Sequence, residues 1–288
     1  MEQVSLNAPA KINLFLRVLS RRPDGFHDIE SLIQAVDLYD RIVLERSDVI
    51  ELNCSDKSLP VAEDNLAFSA AVMLQSRHYF PGVRINLTKN IPSGAGLGGG
   101  SSDAAFVLRG LCQLYGLKPS PDELFEIAAS LGSDVPFFLT TGQAFVRGRG
   151  EVLTRVDLPL DYDIVIITPP IFLSTADVYR GLDLDLTNYG KGLLLTRKID
   201  FSRLIRLLGQ FGNDLEKVVL TRYPNLGELK RSLLGTGALY SSMTGSGSSF
   251  FGLFRKGAGS VEGFYGLKER GFSVFGCRPI LLPPGSEQ

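Results

Sequence analysis

The chain has 288 residues, of which 44% are hydrophobic and 21% are charged, and its formal net charge is −1 at pH 7. This length allows one large domain or two ordinary ones, and the composition is typical of a soluble globular protein. A near-neutral charge without a basic block excludes an electrostatic nucleic-acid surface, and no apolar run in the sequence reaches the ~18–20 residues of a membrane span.

The first part of the chain predicts strands, a turn and one helix. Apolar residues alternate with others over 4–19, which predicts strands. Lys11 and Asn13 lie two positions apart in the predicted strand, so we expect their side chains on one face, about 6.6 Å apart. The Pro-Asp-Gly in "RRPDGFHD" (21–28) predicts a turn. Further strands are predicted at "RIVLERS" (41–47), "VIELNC" (49–54) and "VRINLTKN" (83–90), and a helix at 65–79.

Two helices follow a glycine-rich tract. The first is predicted from about Ser102 to Tyr115, with Gly116 as its C′ residue. The second begins with "SPDE" (120–123), a capping box with proline at the first helical position, and ends near Leu131. After it, "GSDVPFFL" (132–139) turns the chain into a strand-like run, "GQAFVRGRGEVL" (142–153).

A second unit is predicted after "RVDLPLDY" (155–162), where the pattern of strands and helices is interrupted. It begins with the strand "DIVIITPP" (163–170). Strands and helices mix without a steady βαβ alternation, so the predicted fold class is α+β in two domains, 1–158 and 159–288. The other elements of this unit are helices near 175–182, 202–222, 224–234 and 260–270, a strand-turn-strand at 241–254 and a last strand, "SVFGCRPILL" (273–282).

The cysteines and histidines favour a reducing compartment and no zinc site. Cys54, Cys112 and Cys277 are odd in number and far apart, which is typical of buried thiols. The two histidines, His27 and His78, form no Cys/His cluster with zinc spacing. The N-terminus carries an acid at position 2 and no signal-peptide core, so we expect a cytoplasmic protein.

The tract "IPSGAGLGGGSSDAA" (91–105) predicts a phosphate-binding loop. Five of the seven residues from Gly94 to Gly100 are glycine, which permits positive φ and close approach to the main chain. Successive N–H groups of such a run can converge on an anion, and the start of the next helix adds a positive dipole end. A tightly packed glycine turn is the structural alternative.

The common phosphate-loop patterns do not fit this tract. Gly94, Gly96 and Gly99 satisfy the dinucleotide pattern, but a second helix follows where a βαβ unit needs a strand. A Walker loop needs Lys-Ser/Thr after the glycines, where this chain has Gly100-Ser101-Ser102. The hairpin and later signatures of protein kinases are missing as well.

Residues 92–102, "PSGAGLGGGSS", resemble the phosphate loop of the GHMP kinases, named for galactokinase, homoserine, mevalonate and phosphomevalonate kinases. Four more stretches resemble, in order and spacing, the branch of this superfamily that acts on a methylerythritol linked to cytidine diphosphate. They are "APAKINLFLRV" (8–18), "RRPDGFHDIES" (21–31), "LGSDVPFFL" (131–139) and "MTGSGSSFFGLF" (243–254). The resemblance therefore covers nearly the whole chain.

The resemblance implies a fold, an activity and cofactors. The N-terminal unit would be like domain 2 of ribosomal protein S5, the C-terminal unit ferredoxin-like, and the active site would lie in the cleft between them. The chain would be a cytoplasmic, ATP-dependent kinase for a small molecule, with ATP and Mg²⁺ as cofactors. We expect no nucleic acid or membrane as partner, and a monomer or weak homodimer; the protein ligands of Mg²⁺ stay open.

The resemblance also implies roles for residues. Asp134 would be the general base for the substrate hydroxyl, and Lys11 would keep that carboxylate ionised. Expected ATP-binding residues are Pro92, Ser93, Gly94, Ala95, Gly96, Leu97, Gly98, Gly99, Gly100, Ser101 and Ser102, with Asn65 and Leu66 on the adenine side; expected substrate-binding residues are Asn13, Phe26, His27, Tyr179, Thr244, Gly245 and Ser246.

Each role has an alternative that the residues alone leave open. Asp134 and His27 are ordinary turn residues by position, Lys11 an ordinary solvated lysine, and Ser102 and Asn65 ordinary helix N-caps. Phe26 stands where members of the branch often have tyrosine. Three alternative functions stay open as well: a GHMP kinase for another small alcohol, a nucleotide-binding module without catalysis, and a nicotinamide-dependent oxidoreductase.

Overall fold

A computed structural model of the chain describes residues 2–182 and 199–283. Its first unit contains a six-stranded sheet. Five of the strands are neighbours in the order β3-β4-β2-β5-β6, and the sixth, β1, pairs with β2. None of the helices in the described ranges is long and apolar enough to cross a membrane. The strands are β1 (Gln3–Arg21), β2 (His27–Ser47), β3 (Ile50–Cys54), β4 (Gly82–Thr88), β5 (Gln143–Gly148) and β6 (Val152–Arg155).

The long antiparallel pair β1–β2 forms the centre of the first unit. It runs from the pair Gln3–Glu45 to the pair Arg21–His27, and its register shifts at three places, one of them between Asn13 and Phe15. The predicted strand at 4–19 and the turn at 21–28 are confirmed. The first half of β2 was not predicted, because its apolar residues do not alternate; both of its faces are covered, so burial imposes no period of two.

Two helices pack on this sheet, α1 (Leu66–Arg77) and α2 (Gly99–Tyr115), and a third, α3 (Pro121–Leu131), packs against both of them. Ser120 caps α3 by accepting the N–H of Glu123 at 3.2 Å, as the sequence predicts. The predicted start of α2 at Ser102 is wrong. The helix begins at Gly99 and its N-cap is Gly98 with a φ of 70°, so the last two tract glycines belong to the helix and Ser102 is not its N-cap.

The second unit contains a four-stranded antiparallel sheet in the order β10-β7-β9-β8. This order, with helices between its first and second and its third and fourth strands, is the expected ferredoxin-like arrangement. The predicted helix at 202–222 is two helices, because Gly212 has a φ of 68° and Asn213 caps the second one. The elements are β7 (Tyr162–Thr168), α4 (Thr175–Arg180), α5 (Phe201–Phe211), α6 (Asp214–Arg222), α7 (Gly227–Gly235), β8 (Tyr240–Met243), β9 (Phe250–Arg255), α8 (Tyr265–Lys268) and β10 (Ser273–Cys277).

The two units are tied together at β1 and at the end of the described chain. The N–H of Leu16 donates to the carbonyl of Gly212 at 2.9 Å, and the N–H of Val18 donates to Asp214 at 2.7 Å. After β10 the chain returns to the first unit, where the N–H of Ile280 donates to the carbonyl of Ala35 at 3.0 Å. We propose the domain boundary between residues 158 and 159, with this returning segment packed on the first domain.

Candidate active site

A cavity of about 1430 Å³ lies between the two units. It exceeds the usual ~300–1,000 Å³ of a site for one small ligand, which fits two substrates bound side by side. Three of the predicted residues, Leu97, Ser102 and Thr244, are buried behind its wall. Those that line it are Lys11, Asn13, Phe26, His27, Asn65, Leu66, Pro92, Ser93, Gly94, Ala95, Gly96, Gly98, Gly99, Gly100, Ser101, Asp134, Tyr179, Gly245 and Ser246.

The glycine tract has a backbone that only glycine adopts readily. Gly94, Gly96 and Gly98 have φ of 64°, 78° and 70°, in the left-handed region. A Cβ on Gly96 would lie 2.2 Å from the carbonyl oxygen of Thr244, and one on Gly98 would lie 3.0 Å from Cγ of Lys11. Left-handed geometry and close packing therefore both require glycine here.

The same tract presents main-chain donors to the cavity. The first bond of the α2 ladder runs from the N–H of Ser102 to the carbonyl of Gly98, at 2.9 Å. The N–H groups of Gly99, Gly100 and Ser101 precede this bond, so the helix itself cannot satisfy them. Free amides at a helix start, together with the positive end of its dipole, form an anion site. The arrangement suits the phosphates of a nucleotide.

Lys11 and Asp134 form an ion pair beside the tract. Nζ of Lys11 lies 3.4 Å from Oδ2 of Asp134; the lysine side chain is 4% exposed and the aspartate side chain 39%. Nζ also donates to Oδ1 of Asn13 at 2.5 Å, which confirms that Lys11 and Asn13 share a face. The N–H of Lys11 donates to the carbonyl of Leu97 at 2.9 Å, so main-chain bonding fixes the pair against the tract. The carboxylate remains accessible to a substrate hydroxyl.

Three aromatic residues, Phe26, His27 and Tyr179, line another part of the cavity, which we call the aromatic end. The rings of His27 and Tyr179 stack with centroids 5.0 Å apart and planes 29° apart. Phe26 is 53% exposed, and the guanidinium of Arg149 lies 5.0 Å from the centroid of its ring. Of the residues expected to bind substrate, Tyr179 and His27 therefore stack on each other, whereas Phe26 lies beneath the guanidinium of Arg149.

The surroundings shift the pKa of two of these groups. Burial lowers the pKa of His27 below its ordinary value of 6.5, and the charge of Arg21 lowers it further. His27 is therefore neutral at pH 7, with one ring nitrogen as donor and one as acceptor. Burial raises the pKa of the Tyr179 phenol, and the Asp134 carboxylate raises it further. The aromatic end and the carboxylate are thus close enough to interact electrostatically.

Thr244 joins three parts of the site from behind the cavity wall. Its hydroxyl accepts the N–H of Asn13 at 2.9 Å and donates to the carbonyl of Gly96 at 3.2 Å. It therefore positions the strand and the tract, and the expected contact of Thr244 with substrate stays a prediction. Ser246 does line the cavity and shares a hydrogen bond of 2.8 Å with the hydroxyl of Thr175.

Asn65 has a structural role that occupies its side chain. Its Oδ1 accepts the N–H of Ala67 at 3.0 Å, which caps α1, and its amide donates to the carbonyl of Pro60 at 2.8 Å. The helix-cap alternative is therefore correct for the Asn65 side chain, which also lines the cavity next to Leu66.

A buried group of two carboxylates and one ammonium was not predicted. Lys89, at the end of β4, contacts Asp40 and lies 2.7 Å from Oδ2 of Asp103 on α2. Asp40 also accepts the N–H groups of Asn90 at 2.6 Å and Ile91 at 2.9 Å. The group therefore joins both flanks of the tract. Lys89 and Asp103 flank the tract in sequence, but nothing in the sequence linked them to Asp40.

Asp103 has an unusual environment within this group. Its Oδ1 is buried and finds no hydrogen-bond partner among the residues that the structure describes. Burial raises the pKa of Asp103 to about 7, and the neighbouring Asp40 carboxylate adds to this, whereas Lys89 opposes it. The carboxyl lines the cavity beside Gly99 and Gly100.

The residues present fit Mg²⁺ only as a companion of bound phosphates. Within 2–182 and 199–283, no group of three or more histidine, cysteine or acidic side chains is arranged to hold a metal ion. Mg²⁺ is commonly bound by one or two protein oxygens together with substrate phosphates and water. The hydroxyl of Ser101, at the start of α2, is the side-chain oxygen nearest in sequence to the free amides.

Comparison with known proteins agrees with this geometry. Residues 65–142 match the family model of the GHMP kinase N-terminal domain, and residues 193–262 match the model of the GHMP kinase C-terminal domain. A solved structure of 4-(cytidine 5'-diphospho)-2C-methyl-D-erythritol kinase superposes with a TM-score of 0.80 at 34% identity, over 96% of this chain and 99% of the other. A homoserine kinase from Cytophaga hutchinsonii, at 20% identity and a TM-score of 0.73 over 99% and 96% of the two chains, shares the fold.

Two relatives narrow the assignment. The 4-diphosphocytidyl-2-C-methyl-D-erythritol kinase of Desulfotalea psychrophila is 42% identical over 90% of this chain and 88% of its own length. The enzyme of the same name from Chlorobium phaeobacteroides is 40% identical over 99% and 96%. The chain belongs to the GHMP kinases and, within them, to the family of 4-diphosphocytidyl-2-C-methyl-D-erythritol kinases. The expected two-domain GHMP kinase fold is confirmed.

Proposed function

We propose that this chain transfers the γ-phosphoryl group of ATP to the 2-hydroxyl of 4-diphosphocytidyl-2-C-methyl-D-erythritol, in the methylerythritol phosphate route to isoprenoid precursors. The observation that carries the proposal is the Lys11–Asp134 ion pair, which lies in the cavity beside the tract that would hold the phosphates. A donor on the tract and an acceptor alcohol at Asp134 would meet at this point.

The chemistry needs little more than positioning and charge. Phosphoryl transfer is catalysed mainly by alignment of the reactants and by stabilisation of charge on the transferred group. Asp134 would accept the proton of the attacking hydroxyl, and Lys11 would hold the carboxylate and stabilise negative charge on the alcohol oxygen. The amides of Gly99, Gly100 and Ser101 would bind the donor phosphates.

ATP would bind as its magnesium complex, and the metal would supply positive charge against the phosphate oxygens. The chain's own contribution would come from the amides of the tract and from the hydroxyl of Ser101. Leu66 and Asn65 line the cavity and would face the adenine, so the nucleotide would lie along the first unit from α1 to the start of α2.

The acceptor would lie at the aromatic end. Stacking of a base on an aromatic side chain contributes about 1–3 kcal/mol. Tyr179 and Phe26 supply such rings, and neutral His27 supplies one donor and one acceptor for the edge of a cytosine. Binding of a cytidine base would require the His27–Tyr179 stack to open or the base to add to its exposed side.

We also propose that the enzyme works in the cytoplasm as a monomer or weak homodimer. Its three cysteines are free thiols, and burial raises the pKa of Cys112 to about 11 and of Cys277 to about 12. Thiols held in this way are unreactive and suit a reducing compartment.

An ADP-release assay with a panel of acceptors tests the function. The panel is 4-diphosphocytidyl-2-C-methyl-D-erythritol, homoserine, mevalonate and no acceptor, each with magnesium ATP. We expect turnover with the first acceptor only. Faster ADP release with homoserine or mevalonate would assign another GHMP activity, and equal release without acceptor would contradict a kinase for this alcohol.

A further inference from the structure

Two large apolar side chains among the described residues line the cavity and are nevertheless exposed. They are Phe26, which is 53% exposed, and Phe172, which is 77% exposed. Phe26 lies at the aromatic end beneath Arg149, whereas Phe172 belongs to the segment between β7 and α4. Phe172 is therefore an exposed ring of the second unit in a cavity whose glycine tract belongs to the first.

The ring of Phe172 lies against the glycine tract. A Cβ placed on Gly94 would lie 2.5 Å from Cε2 and 2.6 Å from Cδ2 of Phe172. No side chain at Gly94 could share that space with the ring, so one edge of the ring is in contact with the main chain of the tract. Because Gly94 also lines the cavity, the second unit covers the start of the tract at this point.

The backbone on both sides of Phe172 is held by its neighbours and not by the ring. The carbonyl of Ile171 accepts the hydroxyl of Ser248 at 2.7 Å, and Leu173 is buried in the hydrophobic core of the second unit. Ser174 then caps α4. The segment therefore holds the ring over the tract, whereas the ring, being largely exposed, adds little to the packing of the fold. Its position suits a role toward a ligand on the tract.

The proposed reaction has a competitor in water. The side chain of Asp134, which would take the proton of the acceptor hydroxyl, is 39% exposed. With water in place of the alcohol, the water oxygen would bond to the γ-phosphorus, and the bond from that phosphorus to the bridging oxygen of ADP would break. The products would be ADP, inorganic phosphate and a proton. Enzymes limit such side reactions by keeping water away from the reacting group.

We propose that Phe172 shields the phosphates of bound ATP from water and thereby favours transfer to the alcohol over hydrolysis. This inference rests on the proposed function, in which the donor phosphates lie on the tract that the ring contacts. A phenyl ring has no hydrogen-bonding group that would hold a water molecule in place. Phosphates on the tract would have this ring beside them instead of bulk water, and they would cover part of its exposed surface.

The first test removes the ring and measures hydrolysis. Phe172→Ala opens the space over Gly94, and Phe172→Leu keeps an apolar side chain there. Tyr265→Ala is the matched control, because Tyr265 is also an exposed ring of the second unit, at 55%, and does not line the cavity. ADP release is measured without acceptor, and with acceptor it is compared with the amount of phosphorylated product. Thermal melts check that each variant is folded.

We expect Phe172→Ala to release ADP without acceptor about tenfold faster than the parent, which corresponds to about 1.4 kcal/mol in the barrier. With acceptor, this variant should release more ADP than it forms product, whereas Phe172→Leu and Tyr265→Ala should stay close to the parent. The KM for the acceptor should stay within about threefold. Unchanged hydrolysis in Phe172→Ala would overturn the inference, and so would a raised acceptor KM without added hydrolysis.

The second test reports directly on the environment of position 172. The chain contains no tryptophan, so Phe172→Trp introduces a single indole at this position. Addition of a non-hydrolysable ATP analogue with magnesium should shift its emission to shorter wavelength, because the phosphates displace water from the ring. Tyr265→Trp should show no shift. Unchanged emission of Phe172→Trp, at analogue concentrations that calorimetry shows to be saturating, would contradict a shield over the donor.

The two tests also separate this inference from the proposed function. Normal turnover of the cytidyl acceptor by the parent, with neither added hydrolysis in Phe172→Ala nor a shift in Phe172→Trp, would reject the role of Phe172 alone. Absence of that turnover, with the emission shift still present and hydrolysis still raised by loss of the ring, would reject the proposed acceptor and leave Phe172 as the shield of bound ATP.

Discussion

The two ends of the cavity are built in different ways. At the proposed phosphate end, the glycine tract, the groups that would bind are main-chain amides, held by left-handed glycines and by buried neighbours such as Leu97. At the proposed acceptor end, formed by Phe26, His27 and Tyr179, the groups that would bind are side chains, and Phe26 among them is 53% exposed. The phosphate end consists of main-chain groups of the fold, whereas the acceptor end consists of side chains that project from it.

This difference has consequences for specificity. A main-chain cradle recognises the phosphates that all nucleoside triphosphates share, and it changes only when the backbone changes. Side chains from the turn before β2 and from the β5–β6 turn can be exchanged without disturbing the core, whereas Tyr179 of α4 also packs against it. We therefore expect substitutions at the phosphate end to affect stability and nucleotide binding, and those at the acceptor end to affect mainly acceptor binding.

The largest effect is expected where the two ends meet. Asp134→Ala should reduce kcat by about 10²–10⁴-fold, the usual range for loss of a general base. Binding of ATP should stay within about threefold, because the donor phosphates would lie on amides of the tract. The measurement is steady-state ADP release together with calorimetry of a non-hydrolysable ATP analogue.

Asp157→Ala is the control for Asp134→Ala, since Asp157 is an exposed acid that does not line the cavity. The control should keep the parental kcat. If Asp134→Ala kept a kcat within a factor of about five of the parent, Asp134 would not be the base.

The next largest effect should come from the phosphate end. Gly96→Ala combines a left-handed φ with a Cβ 2.2 Å from the carbonyl oxygen of Thr244, so the backbone must shift. We expect the free energy of unfolding to fall by about 2–5 kcal/mol, from the sum of conformational strain and overpacking. ATP affinity should fall as well, because the shift moves the amides of the tract. Urea unfolding and calorimetry measure the two effects.

Gly116→Ala provides a matched comparison. Gly116 has a φ of 66°, close to that of Gly96, but a Cβ there would meet nothing within 4 Å. Gly116→Ala should therefore lose only the stability that left-handed strain costs, about 1–2 kcal/mol, and should keep the ATP affinity of the parent. Equal losses in the two variants would mean that the contact with Thr244 contributes nothing.

The phosphate end could be predicted from the sequence because its determinants are local. The glycines, the strand before them and the helix after them are consecutive, so one stretch specifies the cradle. Lys11 and Asp134 were placed by resemblance, and the structure brings them within 3.4 Å of each other. The start of α2 was predicted late because glycine disfavours helix, whereas in the fold packing against Ile91 and Leu66 holds the first turn in place.

The rest depends on contacts between distant parts of the chain. Thr244 reaches strand β1 across 231 residues, and Asp40 meets Lys89 across 49, so no local pattern marks either role. The stack of His27 on Tyr179 and the position of Arg149 over Phe26 likewise join separate segments. Residue types alone predict rings and charges, and only the packing of the two units decides which of them meet.

At the acceptor end, Tyr179→Ala should weaken acceptor binding and spare the phosphate end. Loss of a stacking ring costs about 1–3 kcal/mol, or a rise in acceptor KM of about 5–150-fold. The KM for ATP should change little. The melting temperature should fall moderately, since the ring lines the cavity and also packs against the hydrophobic core of the second unit. Steady-state kinetics with each substrate varied in turn measure this.

Tyr79→Ala is the control for Tyr179→Ala, because Tyr79 is 90% exposed after α1 and does not line the cavity. A rise in the KM for ATP as large as that for the acceptor would contradict the division between the two ends. So would an unchanged acceptor KM in Tyr179→Ala.

The smallest effect concerns a charge buried behind the phosphate end. Because the pKa of Asp103 is raised to about 7 in the folded protein, protonation favours the fold. The stability from this group is complete below the ordinary aspartate pKa near 4 and is lost as the pH rises from there through 7. Asp103→Asn removes the titration but keeps an oxygen for Lys89. Relative to the parent, the variant should therefore gain more stability at pH 8 than at pH 5, by on the order of 1–2 kcal/mol.

Urea unfolding at the two pH values measures the gain in stability. Asp161→Asn, at the surface, is the control that should show no gain. A variant that lost stability more at pH 8 than at pH 5 would show that ionised Asp103 stabilises the tract through Lys89, and the phosphate end would then depend on side-chain charge as the acceptor end does.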